Sequence, residues 1–153
     1  MDIRVDDLAG PDVHALLREH LDSVAQYSPP QSVHALDLPA LRAPDITFWT
    51  VWENGALLGC GALKALDDRH AELKSMRTAR AHLRRGVARA LLGHILHEAD
   101  LRGHRRVSLE TGSHEAFRPA HALYTSFAFL RCGPFGHYVD DPHSVFMTRT
   151  LPL

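Results

Sequence analysis

Cysteine is scarce: Cys60 and Cys132 are the two in a chain of 153 residues. No CxxC and no paired Cys/His spacing accompanies them, so neither a disulfide framework nor a zinc site is indicated and free thiols are expected. Long apolar runs are missing as well. None approaches the roughly 20 residues that cross a bilayer, and residues 1–8 alternate acidic and apolar side chains where a secretion signal would be basic and then apolar. Neither sign of charge is in excess, since 17 Lys and Arg face 18 Asp and Glu for a formal net charge of -1. That balance offers no global attraction to nucleic acid or membrane. No GxxxxGK[ST] occurs, and the GxG at Gly59 and Gly61 has Lys64 where a third glycine would stand. Repeats, low-complexity stretches and linkers are absent too. The expectation is one cytoplasmic domain over 1–153, long enough to bury about two-thirds of its unfolded surface.

What is present centres on residues 76–92, where a strand ends, a basic turn follows and a helix starts at a glycine. Ala88, Leu91, Leu92, Ile95, Leu96 and Ala99 recur at the 3.6-residue period, which predicts an amphipathic helix running to about residue 101. Gly86 lets the backbone approach a ligand closely, and a helix start leaves N–H groups without intrahelical partners. Arg77, Arg80, Arg84, Arg85 and Arg89 crowd that end with positive charge. Spacing alone leaves two readings: a site for phosphate oxygens, or a tight entry into a surface helix with solvated arginines.

The remaining elements follow in order. Ile3 and Val5 suggest a first strand; Val13, Leu16, Leu17, Leu21 and Val24 then predict a helix with Asp12 as its N-cap, ended by Pro29 and Pro30. Residues 27–43 read as a short helix or structured loop. Strands at 46–52 and 57–66 flank Asn54 and Gly55, a strong hairpin signal. The next strand, 71–78, carries Glu72, Lys74 and Met76 on one face by the two-residue period. A strand at 105–110 after the helix implies a parallel crossover. Beyond it lie a helix over 115–127 with Pro119 in its first turn, a short strand at 129–132, a loop at 133–143 and a closing strand from 144.

Three landmarks in order resemble the Gcn5-related N-acetyltransferase (GNAT) superfamily. The acyl-CoA turn [RQ]xxGx[GA] is matched by Leu83, Arg84, Arg85, Gly86, Val87 and Ala88, and an AxxLYxxxGF-like helix end by His121 to Phe129. Glu72, Leu73, Lys74, Ser75 and Met76 before the turn, and Pro134 to Tyr138 near the end, are similar to a bacterial subset. Leu83 stands in place of the usual arginine or glutamine, and Ala128 in place of a glycine. The resemblance implies an α/β fold: a mixed, mostly antiparallel central sheet with a splayed parallel strand pair and helices on both faces.

It also implies an acetyl-CoA co-substrate, with no metal, held by Met76, Arg77, Thr78, Arg84, Arg85, Gly86, Val87, Ala88 and Arg89. The implied reaction is acetyl transfer to the primary amine of a small molecule by direct attack. Tyr124 occupies the family's general-acid position, and the backbone N–H near Met76 is the implied oxyanion donor. Glu72 is expected as the base, with Glu110 and His34 as rivals. His34, Asp37, Glu110, Phe135 and Tyr138 are expected around the acceptor, with Tyr27, Asp140 and Asp141 as further candidates. Acidic residues there would suit a cationic amine; Arg77 and His34 would equally suit a carboxylate, and the residues leave that choice open. Peptide or protein amino groups, and an acyl-CoA sensor without catalysis, are the alternatives. Nucleic-acid and membrane partners are not expected, whereas dimerisation is common in the family.

Overall fold

Alternation and turn chemistry organise the first half of the sheet. In the computed structural model, which describes residues 1–152, β1 (Asp2–Val5), β2 (Ile46–Glu53), β3 (Ala56–Ala65) and β4 (His70–Thr78) pair antiparallel in that order. Asn54 and Gly55 take φ of 51° and 78°, the two left-handed positions that a tight hairpin turn needs. β5 (Arg106–Gly112) pairs parallel with β4, and β6 (Leu130–Cys132) and β7 (Ser144–Thr150) complete the order β1-β2-β3-β4-β5-β7-β6. The expected mixed, mostly antiparallel sheet is present.

Its one parallel pairing is short. His70, Ala71 and Glu72 pair with Arg106, Val107 and Ser108, after which the two strands separate. Helices α1 (Pro11–Tyr27) and α2 (Leu38–Leu41) cover one face, and α3 (Val87–Leu101) and α4 (Arg118–Ser126) the other. The predicted α3 stripe is the buried one: Leu91, Leu92, Ile95, Leu96 and Ala99 are all at most 1% exposed. Burial of each larger side chain is worth about 1.5–3 kcal/mol, which makes α3 the anchor of the larger core.

Two local expectations are corrected, and the short helix or structured loop expected over 27–43 is present. Asp12 is not the N-cap of α1; Gly10 holds that place and Pro11, whose missing N–H would be unpaired there anyway, opens the helix. Residues 27–43 contain a 3-10 turn at Pro30–Ser32 and the single-turn α2, capped by Asp37 Oδ1 accepting from Ala40 N at 3.0 Å.

The second correction concerns β4. Thr78 and Arg77 pair with Gly59 and Cys60, but Lys74 pairs with Ala62, so Ser75 and Met76 together stand opposite Gly61. This is a β-bulge, and Ser75 carries it at φ 56°. The extra residue reverses the alternation, so Met76 packs against the α3 core while Glu72 and Lys74 face the α1 side. A β-carbon at Gly61 would lie 2.5 Å from Met76 Sδ and 3.0 Å from Ile95 Cδ1, so only glycine leaves room for the turned methionine.

Candidate active site

The separation of β4 from β5 opens a cavity of about 660 Å³ through the sheet, lined from both faces. Its α3 side begins at Gly86, the N-cap of α3, held at φ 79°. Ala90 N donates to Gly86 O at 3.0 Å as the first helical bond, which leaves the N–H groups of Val87, Ala88 and Arg89 without intrahelical acceptors. Arg84, Val87, Ala88 and Arg89 line the cavity with Gly86, and Met76 and Thr78 continue it along β4, whereas the Arg77 side chain, expected here, turns to Glu19 of α1 at 3.7 Å. Arg85 does not take part. Its guanidinium pairs with Glu53 and meets His82 Nδ1 at 2.9 Å. Arg89 lies over the Phe127 ring at 5.5 Å, which fixes its charge beside the helix start.

Deeper in, Tyr124 from α4 and Glu110 from β5 share the cavity. Tyr124 is buried with its ring edge-on to Phe129 at 5.8 Å. Burial, and secondarily the charge of Glu110, hold its phenol above the usual range. Burial also raises the Glu110 carboxyl, opposed by a 2.7 Å hydrogen bond from Ser144 Oγ and by His34 and Lys74 nearby. A raised carboxyl at an open cavity is the arrangement that suits a general base.

Glu72 is placed differently. It is buried but does not line the cavity; Lys74 Nζ at 3.0 Å and the Tyr138 hydroxyl at 2.5 Å both donate to its Oε2. Lys74 Nζ also donates to the Tyr138 oxygen at 3.0 Å, closing a buried triad whose carboxylate is already occupied.

The α1 side holds the remaining expected residues unevenly. His34 and Tyr27 line the cavity, His34 edge-on to Tyr138 at 4.9 Å and Tyr27 tilted on His114 at 4.9 Å. Asp37 is an exposed helix cap, and Phe135 packs between His70, Tyr138 and Phe146. Asp141 accepts from Ser32 Oγ at 2.5 Å and from the His143 N–H, which holds its carboxyl below the ordinary value and ties the loop at 133–143 to the turn before α2. Asp140 is exposed outside the lining. His20, Lys74 and Ser75 line the cavity although the sequence did not single them out as site residues. A signal for His20 existed: it falls three residues after Leu17 and four before Val24, a polar residue on an otherwise apolar stripe.

Residues 13–129 match the Acetyltransferase (GNAT) family. The chain belongs to this family. It is 57% identical over 151 residues to the uncharacterized N-acetyltransferase YsnE of Bacillus subtilis (strain 168), covering 99% of this chain and 100% of that one. To the uncharacterized N-acetyltransferase YedL of Escherichia coli (strain K12) it is 53% identical, covering 97% of this chain and 94% of the relative. A GNAT family acetyltransferase from Elizabethkingia anophelis, solved with acetyl-CoA bound, shares the fold with a TM-score of 0.68 at 15% identity, over 98% of this chain and 97% of that one. The protein is thus an acetyltransferase of GNAT type. Among the described residues no group of three or more His, Cys, Asp or Glu could hold a metal, and no helix is long and apolar enough to cross a membrane.

Proposed function

We propose that the whole chain, 1–153, acts as one cytoplasmic domain that transfers the acetyl group of acetyl-CoA to the primary amine of a small molecule by direct attack. The observation that carries this reading is a single cavity joining the unpaired N–H groups at the start of α3 to Tyr124 and Glu110. The fit to acetyl-CoA rests on the left-handed Gly86, which keeps side-chain bulk off the turn, and on Arg84 and Arg89 beside the free N–H groups, a combination that favours pyrophosphate. Bound there, acetyl-CoA supplies the acetyl thioester.

The chain's own residues fill three roles. Glu110 takes one proton from the incoming ammonium and so frees the amine lone pair to attack, helped by a carboxyl that burial holds above its ordinary value. The Met76 N–H, beside the bulge that interrupts the ladder, faces the carbonyl oxygen as negative charge builds there. Tyr124 hands its hydroxyl proton to the departing thiolate and recovers one from the nitrogen that has become the amide, which must shed its second proton; the phenol is the weaker acid, so proximity carries the step. Glu110 takes the base role in place of Glu72, whose carboxylate is held by Lys74 and Tyr138. A small acceptor is favoured over a peptide because α1 and the Pro30–Ser32 turn, tied to the loop through Asp141, wall the α1 side.

Thiol release from acetyl-CoA, followed across a panel of small primary amines and one lysine-containing peptide, tests the reading. Turnover with at least one small amine is expected. Turnover with the peptide alone would overturn the acceptor class, and acetyl-CoA binding without turnover on any amine would leave the sensor alternative standing.

A further inference from the structure

Most buried polar atoms in this protein have hydrogen-bond partners, as they must, because an unsatisfied buried donor or acceptor is unfavourable. Among the described residues four side-chain atoms are exceptions: His20 Nδ1, Ser75 Oγ, Arg77 Nε and His104 Nδ1. Three of the four belong to residues that line the one cavity described above. His20 comes from α1, Ser75 and Arg77 from the bulged end of β4, and α1 packs directly on β4. Their convergence from separate elements is the mark of a site built for a polar guest.

The chemistry of the guest follows from the donors. Arg77 is a permanent cation that offers only N–H donors. Its Nη2 lies 3.7 Å from Glu19 Oε1, too far for a hydrogen bond, and that same oxygen accepts from the Arg80 N–H at 3.3 Å. The guanidinium is therefore incompletely answered, with its Nε buried and without a hydrogen-bond partner. His20 is a neutral imidazole, because burial and then the Arg77 charge lower its pKa to about 4. One of its ring nitrogens then carries a proton to donate. Ser75 Oγ donates or accepts as required. An ammonium would be repelled by Arg77 and would leave its Nε unpaired; an anionic oxygen pair answers both.

We propose that the acetyl acceptor carries a carboxylate besides its amine, and that Arg77, with His20 and Ser75, binds that carboxylate. This rests on the acetyl-transfer reading above and deepens it. Glu110 attracts the amine end while Arg77 holds the acid end, so the cavity matches a zwitterionic amino acid. Of the other cations on this side, Lys74 is already neutralised by Glu72 at 3.0 Å, and Arg80 is exposed with its Nε 3.8 Å from Glu19. Decarboxylated amines and polyamines are disfavoured by the same arrangement.

The test uses binding in place of turnover, so it stays informative whatever the rate of chemistry. N-acetyl-L-amino acids and the matched N-acetyl amino-acid amides are titrated calorimetrically into the protein saturated with CoA. At least one acid is expected to bind 10-fold or more tightly than its amide. Arg77→Met should bring that ratio toward one, and Arg77→Lys should restore part of it. In wild type, the bound acid should move the His20 imidazole titration upward in NMR, since a carboxylate beside it favours the charged ring. Equal binding of acids and amides, or binding of neither, overturns the proposal. So does Arg77→Met weakening CoA while the ratio stands, which would assign the open donors to the pantetheine arm. Loss of CoA binding in wild type would instead strike the acetyl-transfer reading itself.

Discussion

The two sides of the cavity are built by different means. On the α3 side, the candidate contacts come from backbone N–H groups at one helix start and from Arg84, Gly86, Val87, Ala88 and Arg89 in one continuous turn. On the α1 side they come from single side chains on four separate elements: His20, Lys74, Arg77 and Glu110 on helix and strands, His34 on the connecting loop. A backbone cradle tolerates side-chain change, and the exposed Leu83 in place of a donor illustrates it. A side-chain pocket does not. One half can therefore keep a common co-substrate while the other sets the acceptor.

The sharpest way to separate the halves is Glu110→Gln. We expect kcat to fall by about 10²–10⁴-fold with acetyl-CoA affinity nearly unchanged. In wild type, activity should fall as pH drops through the raised Glu110 value, because the base must be deprotonated, and that acid limb should vanish in the variant. Tyr124→Phe comes next, with kcat about 10²-fold lower and the same co-substrate affinity, measured by thiol release and calorimetry.

Smaller effects bear on stability and strain. His20 has a depressed pKa in the folded state, so the stability it contributes is present above about 6.5 and is lost as pH falls toward about 4. Between pH 7 and 4.5 wild type should lose about 2 kcal/mol more than His20→Gln in urea unfolding. Gly86→Ala forces an alanine to φ 79°, a strain of about 1 kcal/mol. It should weaken acetyl-CoA roughly fivefold to tenfold while the acceptor KM stays put; a changed acceptor KM would break the division between halves. Ala128 already bears such strain at φ 65° after α4, so Ala128→Gly should stabilise by about 0.5–1 kcal/mol in thermal unfolding.

The same division explains what could be read in the residues. The α3 side was legible because its signals are local: a 3.6-residue apolar stripe, a glycine and a ring of arginines within one short stretch. Asn54 and Gly55 announced their hairpin for the same reason. Arg85 was the exception, since nothing local says that Glu53, thirty-two positions away, captures it. The α1 side depends on pairings across the chain. Glu72 is expected as the base from its strand position, and nothing local says that Tyr138, 66 residues later, closes on it; Asp37 is expected at the acceptor and is a helix cap. Above all, the bulge at Ser75 breaks the two-residue period; its clue in the sequence is Gly61, whose missing side chain leaves room for the turned Met76.

The central claim is that one cavity receives acetyl-CoA at the start of α3. Thermal unfolding with acetyl-CoA, CoA, ATP and NAD at matched concentrations tests it most directly. At a hundredfold excess over Kd, binding to the folded state adds about 2.7 kcal/mol, or about 5–10 °C for a chain of this size. The account predicts that shift with acetyl-CoA and CoA alone. No shift with either, or an equal shift with ATP and NAD, would contradict it.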